Sequence, residues 1–254
     1  MNFKSKKLKY ILFAILMFLG LAGYAQQPKK VYESEPGVTI DDAVFQHIDQ
    51  EAHKLMEHRH PERFATLATQ LVKDHVDLKL FESFQKEIEA SELYQINAAG
   101  VLVVATIYKC EDCPNTHLRA ASGFVIAEEG IAVTSYHIFN GDATDENSDL
   151  AVVVMDFDGH VYPVKEILAA SVNDDVAIFR FDDMGKKTKV LPLGQDIIPG
   201  QDVSIISHPH SMFYSFTFGV ATRSYLRNEA KKTSVTADFS QGSSGAPVSI
   251  SALT

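Results

Sequence analysis

Positive charge is scarce in this 254-residue sequence. Lys and Arg number 23 against 33 Asp and Glu, for a formal charge of −10. So acidic a chain is repelled by phosphate backbones and anionic lipid, and nucleic acid is not an expected partner. Cysteine is nearly absent too. Cys110 and Cys113 are the only two, which excludes a disulfide-built scaffold. They stand in Cys110-Glu111-Asp112-Cys113, after a strand-like run and ahead of the loop sequence Pro114-Asn115-Thr116. The leading expectation is a small disulfide between Cys110 and Cys113, or two idle thiols. A redox site of this spacing would normally open a helix, and a metal site with His117 would have three ligands in view; both stay open as alternatives. Internal repeats and low-complexity segments are absent.

The N-terminus has its own pattern. Lys4, Lys6, Lys7 and Lys9 precede a charge-free apolar stretch from Tyr10 to Ala22, and Gly23-Tyr24-Ala25 follows. A basic start, a short apolar centre and a small-x-small end read as a secretory signal peptide over residues 1–25. The apolar centre spans about 13 residues, short of the roughly 20 a membrane-crossing helix needs. An uncleaved anchor is the alternative, and only then is a membrane a partner. Cleavage after Ala25 leaves a formal charge of −14, since no acid is lost with the four lysines. The expected location is outside the cytoplasm, periplasmic or secreted.

Residues 26–40, with Pro28, Pro36 and Gly37, read as a linker. From Val38 to Ala99 there is no glycine, and Pro61 is the only proline. Apolar residues at Val44, Ile48 and Leu55, then at Phe64, Leu67, Leu71, Val76, Leu80, Phe84 and Ile88, are spaced as on amphipathic helices. The pattern predicts a helical hairpin, about 41–60 and 62–92, broken at Pro61. Its apolar stripe needs a partner, either the rest of the chain or a second copy in a homo-oligomer. Five of the ten histidines fall here, yet His53-Lys54-Leu55-Met56-Glu57-His58 has neither spacing of a zinc-peptidase helix. After Gly100 the period changes. Val101–Tyr108, Ala120–Ala127, Ile131–Thr134, Leu150–Asp156, Val161–Leu168 and Val176–Phe181 read as six strands. Five further candidates follow: Val190–Leu193, Val203–Ser207, Phe216–Tyr225, Thr233–Asp238 and Ala246–Ser251. The fold class is mainly β with a helical prefix.

Three segments carry chemistry. Val133-Thr134-Ser135-Tyr136-His137-Ile138 ends a strand, Asp175-Val176-Ala177-Ile178 opens one, and Gly242-Ser243-Ser244-Gly245-Ala246-Pro247 is a loop. A serine hydroxyl is a weak nucleophile and needs a base. Histidine can take its proton and return it to a leaving amine. A buried carboxylate would orient the imidazole and stabilise its charged form. Glycines beside the serine let backbone N–H groups of Gly242 and Ser244 converge on an oxyanion. The order His, Asp, Ser is that of one class of serine hydrolase among several.

These segments resemble the motifs of trypsin-like peptidases, and more closely the bacterial HtrA/Deg-like branch. VTSYHI is similar to that branch's VT-x-x-H-V, NDDVAIFRF to D-[LV]-A-[LIV], and QGSSGAPV to G-[ND]-S-G-[GS]-P. His208-Pro209, followed by Ser215-Phe216-Thr217-Phe218-Gly219-Val220, resembles the strand pair beside the active site. The resemblance covers about residues 92–254. It implies a chymotrypsin-like pair of β-barrels, about 97–183 and 187–254 within a peptidase domain of 93–254, preceded by the helical region 41–92. It implies a serine endopeptidase acting on protein or peptide, with His137 as base, Asp175 as orienting acid and Ser244 as nucleophile. Asp174 competes as the acid and Ser243 as the nucleophile. Neither cofactor nor metal is called for.

The sequence departs from the family pattern in places. Ala246 replaces a glycine or serine, Ser243 stands for Asn or Asp, and Tyr136 is bulky beside His137. Thr254 falls seven residues after Pro247, so the second barrel is expected to be incomplete within this chain, and no PDZ-like segment follows. Asp238, six residues before Ser244, occupies the position that in trypsin-type enzymes lies at the base of the specificity pocket, which would select Lys or Arg. Small apolar specificity, often seen in the HtrA/Deg-like branch, is the favoured expectation, and selection of Lys or Arg through Asp238 is the alternative. A non-catalytic protein-binding module on the same fold is the competing function.

Overall fold

The computed structural model describes residues 33–250, apart from 36, 82–88, 111–112, 114 and 142–148. The expected signal peptide and residues 26–32 of the linker lie outside the described residues. The rest of that linker is not wholly irregular. β1 (Glu33–Glu35) and β2 (Val38–Thr39) pair antiparallel, turning through Gly37 at φ +81.

α1 (Asp41–His58) has Asp41 and Asp42 in its first turn, where the helix dipole favours negative charge. It buries Val44, Ile48, Ala52 and Leu55. That stripe packs on the outer face of the first barrel, against Val103, Ala105, Val153 and Met155. The helix is therefore partnered within its own chain and does not need a second copy to cover it.

The second helix of the expected hairpin does not form as predicted. α2 (Phe64–Thr69) continues as one 3-10 turn to Val72 and stops. Residues 73–81 then run without helix, and α3 (Ala90–Ala98) is a separate element that crosses the expected boundary at residue 92. The reason is visible in the residues. Val76, Leu78 and Leu80 alternate with Asp77 and Lys79, a period of two rather than 3.6. Leu78 packs against the small cluster of Ile126, Ala127 and Ile131. The segment is tied to strand backbone before it could continue as helix. The Ala170 N–H donates to the Lys73 carbonyl at 2.7 Å, and Lys73 Nζ donates to the Ile167 carbonyl at 2.6 Å.

The six strands expected after Gly100 all form: β3 (Val101–Lys109), β4 (Thr116–Ala127), β5 (Ile131–Thr134), β6 (Asp149–Met155), β7 (Val161–Ser171) and β8 (Val176–Phe181). They close a barrel in the order β3-β4-β5-β8-β7-β6. Leu102, Val104, Val152, Val154, Phe179 and Phe181 share one core with Phe64, Leu67 and Leu71 of the α2 region. Val101, Val103, Ala105 and Ile107 belong to the other core, under α1. With both faces covered, β3 reads as a continuous apolar run rather than an alternating one.

The second half is a four-stranded antiparallel sheet. β9 (Asp202–Ser207), β10 (Ser215–Arg227), β11 (Ala230–Val235) and β12 (Val248–Ile250) stand in the order β11-β10-β9-β12. Val190–Leu193 is not a strand. Its contribution is Leu191, buried in the core under α1, whose N–H donates to the Val125 carbonyl at 2.8 Å. One anchored leucine gives no ladder, so the described residues of the second half hold four strands where five candidates were read. Phe213 and Tyr214, ahead of β10, enter the core under α1, and the Phe213 N–H donates to Asp41 Oδ1 at 2.9 Å.

Candidate active site

β5 ends at Thr134, and the chain turns through a 3-10 segment, Tyr136–Ile138, that carries His137. Phe139 anchors this turn. It is fully buried, with its ring 5.6 Å from that of Phe179. His137 itself faces solvent. Asp175 lies in the turn between β7 and β8, at φ +58, a left-handed conformation that Asp tolerates better than most residues.

The Asp175 carboxylate accepts from the His137 backbone N–H at 3.0 Å. Ring Nδ1 of His137 lies 3.0 and 2.9 Å from its two oxygens. An ionised carboxylate only accepts, so Nδ1 carries the proton and Nε2 is left as an acceptor. Nε2 stands 3.1 Å from Ser244 Oγ. The three residues thus meet in one hydrogen-bonded chain. The carboxylate expected to be buried is not. The side chains of His137 and Asp175 retain 53% and 43% of their exposure, because Asp175 lies outside the strands, as the last residue of the turn between β7 and β8.

The two ambiguities in the sequence have distinct geometries. Asp174 turns away from His137 and accepts from Ser171 Oγ at 2.6 Å. Ser243 is buried; its hydroxyl lies 2.9 Å from Ser207 Oγ and accepts from the Ser240 N–H at 3.2 Å. Only Ser244 meets the imidazole. Lys232 of β11 steadies the Asp175 turn from the other half, donating to the carbonyls of Asn173 and Asp174 at 3.0 and 3.1 Å.

The serine loop folds against a residue that sequence reasoning missed. Ser122, in the middle of β4, is fully buried. Its N–H donates to the Ser244 carbonyl at 2.9 Å and its Oγ to the Gly242 carbonyl at 2.8 Å. The same oxygen accepts the His208 N–H at 3.2 Å. The available signal was a hydroxyl inside the apolar run Ala120–Ala127, because a buried polar group must find partners. Two glycines admit this close approach. Gly242 and Gly245 hold φ of +97 and +83, and a Cβ on either would lie 2.3 Å from a backbone oxygen, of His208 and Ser122 respectively. Among the described residues no acceptor meets the backbone N–H of Gly242 or Ser244.

Asp238, the residue expected to set specificity, lies in the chain between β11 and the serine loop. It is exposed, its carbonyl accepts from Thr217 Oγ1 at 2.8 Å, and its carboxylate makes no ion pair among the described residues. A solvated carboxylate has no need of a substrate cation. Cys110 and Cys113 are both free, not joined as a disulfide in this structure.

A family model described as the trypsin-like peptidase domain matches residues 121–250. The chain is 29% identical over 153 residues to "Protease Do-like 1, chloroplastic" of Arabidopsis thaliana, a match covering 56% of this chain and 32% of that protein. It is 31% identical over 99 residues to "Probable periplasmic serine endoprotease DegP-like" of Halomonas elongata, covering 39% of this chain and 19% of that protein. Each match therefore takes in a third or less of the curated relative. Among solved structures, the HtrA-type protease AlgW with tripeptide shares the fold at a TM-score of 0.53 and 17% identity, covering 65% of this chain and 52% of the other.

Proposed function

This chain belongs to the trypsin-like peptidase family, and from that premise we propose that it is an exported serine endopeptidase acting through Ser244, His137 and Asp175. The observation that carries the reading is the hydrogen-bonded chain from Asp175 through His137 to Ser244 Oγ, with Nε2 3.1 Å from the hydroxyl. Ser244 Oγ attacks the carbonyl carbon of a peptide bond while His137 Nε2 takes its proton. Asp175 holds the ring and stabilises the imidazolium. The oxyanion accepts from the N–H groups of Gly242 and Ser244. Collapse of the tetrahedral species breaks the C–N bond, and His137 returns its proton to the leaving amine. An acyl-enzyme on Ser244 remains, and water activated by the same imidazole hydrolyses it.

Export is supported by the leader pattern of residues 1–25 and by the printed description of one relative as periplasmic. The substrate is protein or peptide. The decisive experiment is labelling with a fluorophosphonate, which reacts only with an activated serine. Wild type is expected to be labelled at Ser244. Ser244→Ala should lose the label and roughly 10^5- to 10^6-fold in kcat, while Ser243→Ala keeps both. A folded wild type that resists the reagent would make the protein a binding module instead.

A further inference from the structure

The hairpin joining β3 to β4 gathers soft donor atoms that peptide hydrolysis leaves without a role. Cys110 follows the last residue of β3, Cys113 lies in the connection, and His117 is the second residue of β4. One donor atom from each lies within 4.8 Å of the other two, and Cys113 Sγ is 3.1 Å from His117 Nε2.

Strand register produces this cluster. Tyr108 pairs with His117 and Lys109 with Thr116, and the Cys110 N–H donates to the Asn115 carbonyl at 3.2 Å. With side chains alternating along a strand, Cys110 emerges on the face that carries Tyr108 and His117. Cys110 and His117 are then diagonal cross-strand neighbours, within reach of each other. The Tyr108 ring, 5.7 Å from that of His117, packs beside the imidazole.

We infer that this hairpin binds one zinc ion through Cys110 Sγ, Cys113 Sγ and His117 Nε2. Thiolate and imidazole donors suit zinc, whereas calcium and magnesium require oxygen. In a tetrahedral site with Zn–S of about 2.3 Å and Zn–N of about 2.0 Å, donor atoms stand roughly 3.5–3.8 Å apart. The separations here, from 3.1 Å up to a limit of 4.8 Å, bracket that spacing. Three protein ligands leave the fourth position to water. Binding replaces two thiol protons by one dication, so two protons leave and the site stays neutral. That balance suits a half-exposed hairpin, which gains no uncompensated charge. A disulfide between the same sulfurs would abolish the site, so the two states exclude each other.

His117 lies five residues before Ser122 along β4, roughly 17 Å at strand rise, so zinc at the hairpin stands apart from the serine loop. The test uses the full chain, reduced with a phosphine, freed of metal and kept without oxygen. Zinc is titrated against a chromophoric chelator, and cobalt(II) is used as a spectroscopic substitute. The expected result is one equivalent of zinc bound with release of close to two protons, and thiolate-to-cobalt charge-transfer absorption. Cys110→Ser and Cys113→Ser should lose that absorption. His117→Ala should raise Kd beyond the roughly 10- to 100-fold that even outer-shell partners cost. Far-ultraviolet circular dichroism checks that each variant folds. The inference is overturned if reduced wild type binds no stoichiometric zinc, if the double Cys→Ser variant binds as tightly, or if cobalt gives no thiolate band.

Discussion

Two adjacent carboxylates in one turn do different work. Asp175 spans both oxygens across His137 Nδ1, while Asp174 closes its own turn through Ser171. Asp175→Asn should lower kcat by about 10,000-fold, because an amide in its place can donate to Nδ1 and so favour the tautomer that cannot accept from serine. Asp174→Asn should leave kcat within a few-fold and act on stability alone. Steady-state kinetics on one peptide substrate separates the two. At this scale the sequence was informative about residue types and spacing. It could not show that Asp175 is half-exposed, because exposure is set by where the hairpin ends. Nor could it show that Ser122 supports the serine loop, because the two are brought together only by folding across more than a hundred residues.

Among the elements, the strands of the barrel were the most legible. Their β-branched runs have one solution once both faces are buried, and four of the six strands begin and end within one residue of their expected bounds, while β4 starts four residues earlier and β7 runs three residues further. The prefix was half legible. α1 follows its stripe, but residues 73–81 carry alternating apolar residues that a search for helical spacing also accepts. Val190–Leu193 shows the same limit, since three apolar residues out of four cannot distinguish a strand from a tether held by one leucine. α1 has a testable energetic role. Ile48 is 1% exposed beneath it, and Ile48→Ala should destabilise the protein by about 2–5 kcal/mol through the cavity it leaves. Urea unfolding measures the loss. If the prefix were a loosely held arm, the midpoint would not move.

Across the whole molecule, His208 joins the two halves. It is completely buried at the end of β9, its Nε2 3.1 Å from the Leu102 carbonyl of the barrel and its Nδ1 accepting the Tyr214 N–H. Those partners fix a neutral ring protonated on Nε2. Burial lowers its pKa from 6.5 to about 4. The unfolded chain therefore binds this proton more readily than the folded one, and stability falls as the pH is lowered. The contribution is complete above about pH 6.5 and is lost as pH drops through about 4, a change of roughly 3 kcal/mol. Urea midpoints measured from pH 7.5 to 4 should fall accordingly, and His208→Gln should flatten the slope.

The Ser122 amide is bonded not within its barrel but to the Ser244 carbonyl. Its hydrogen can exchange with solvent deuterium only when the serine loop lifts from β4, whereas amides bonded inside the barrel wait for the barrel itself to open. Ser122 should therefore take up deuterium faster than its strand neighbours in the free protein. Once a fluorophosphonate occupies Ser244 and stills the loop, its uptake should slow while theirs does not. One backbone proton, read by nuclear magnetic resonance, would time how often the Ser244 loop leaves the barrel that carries His137.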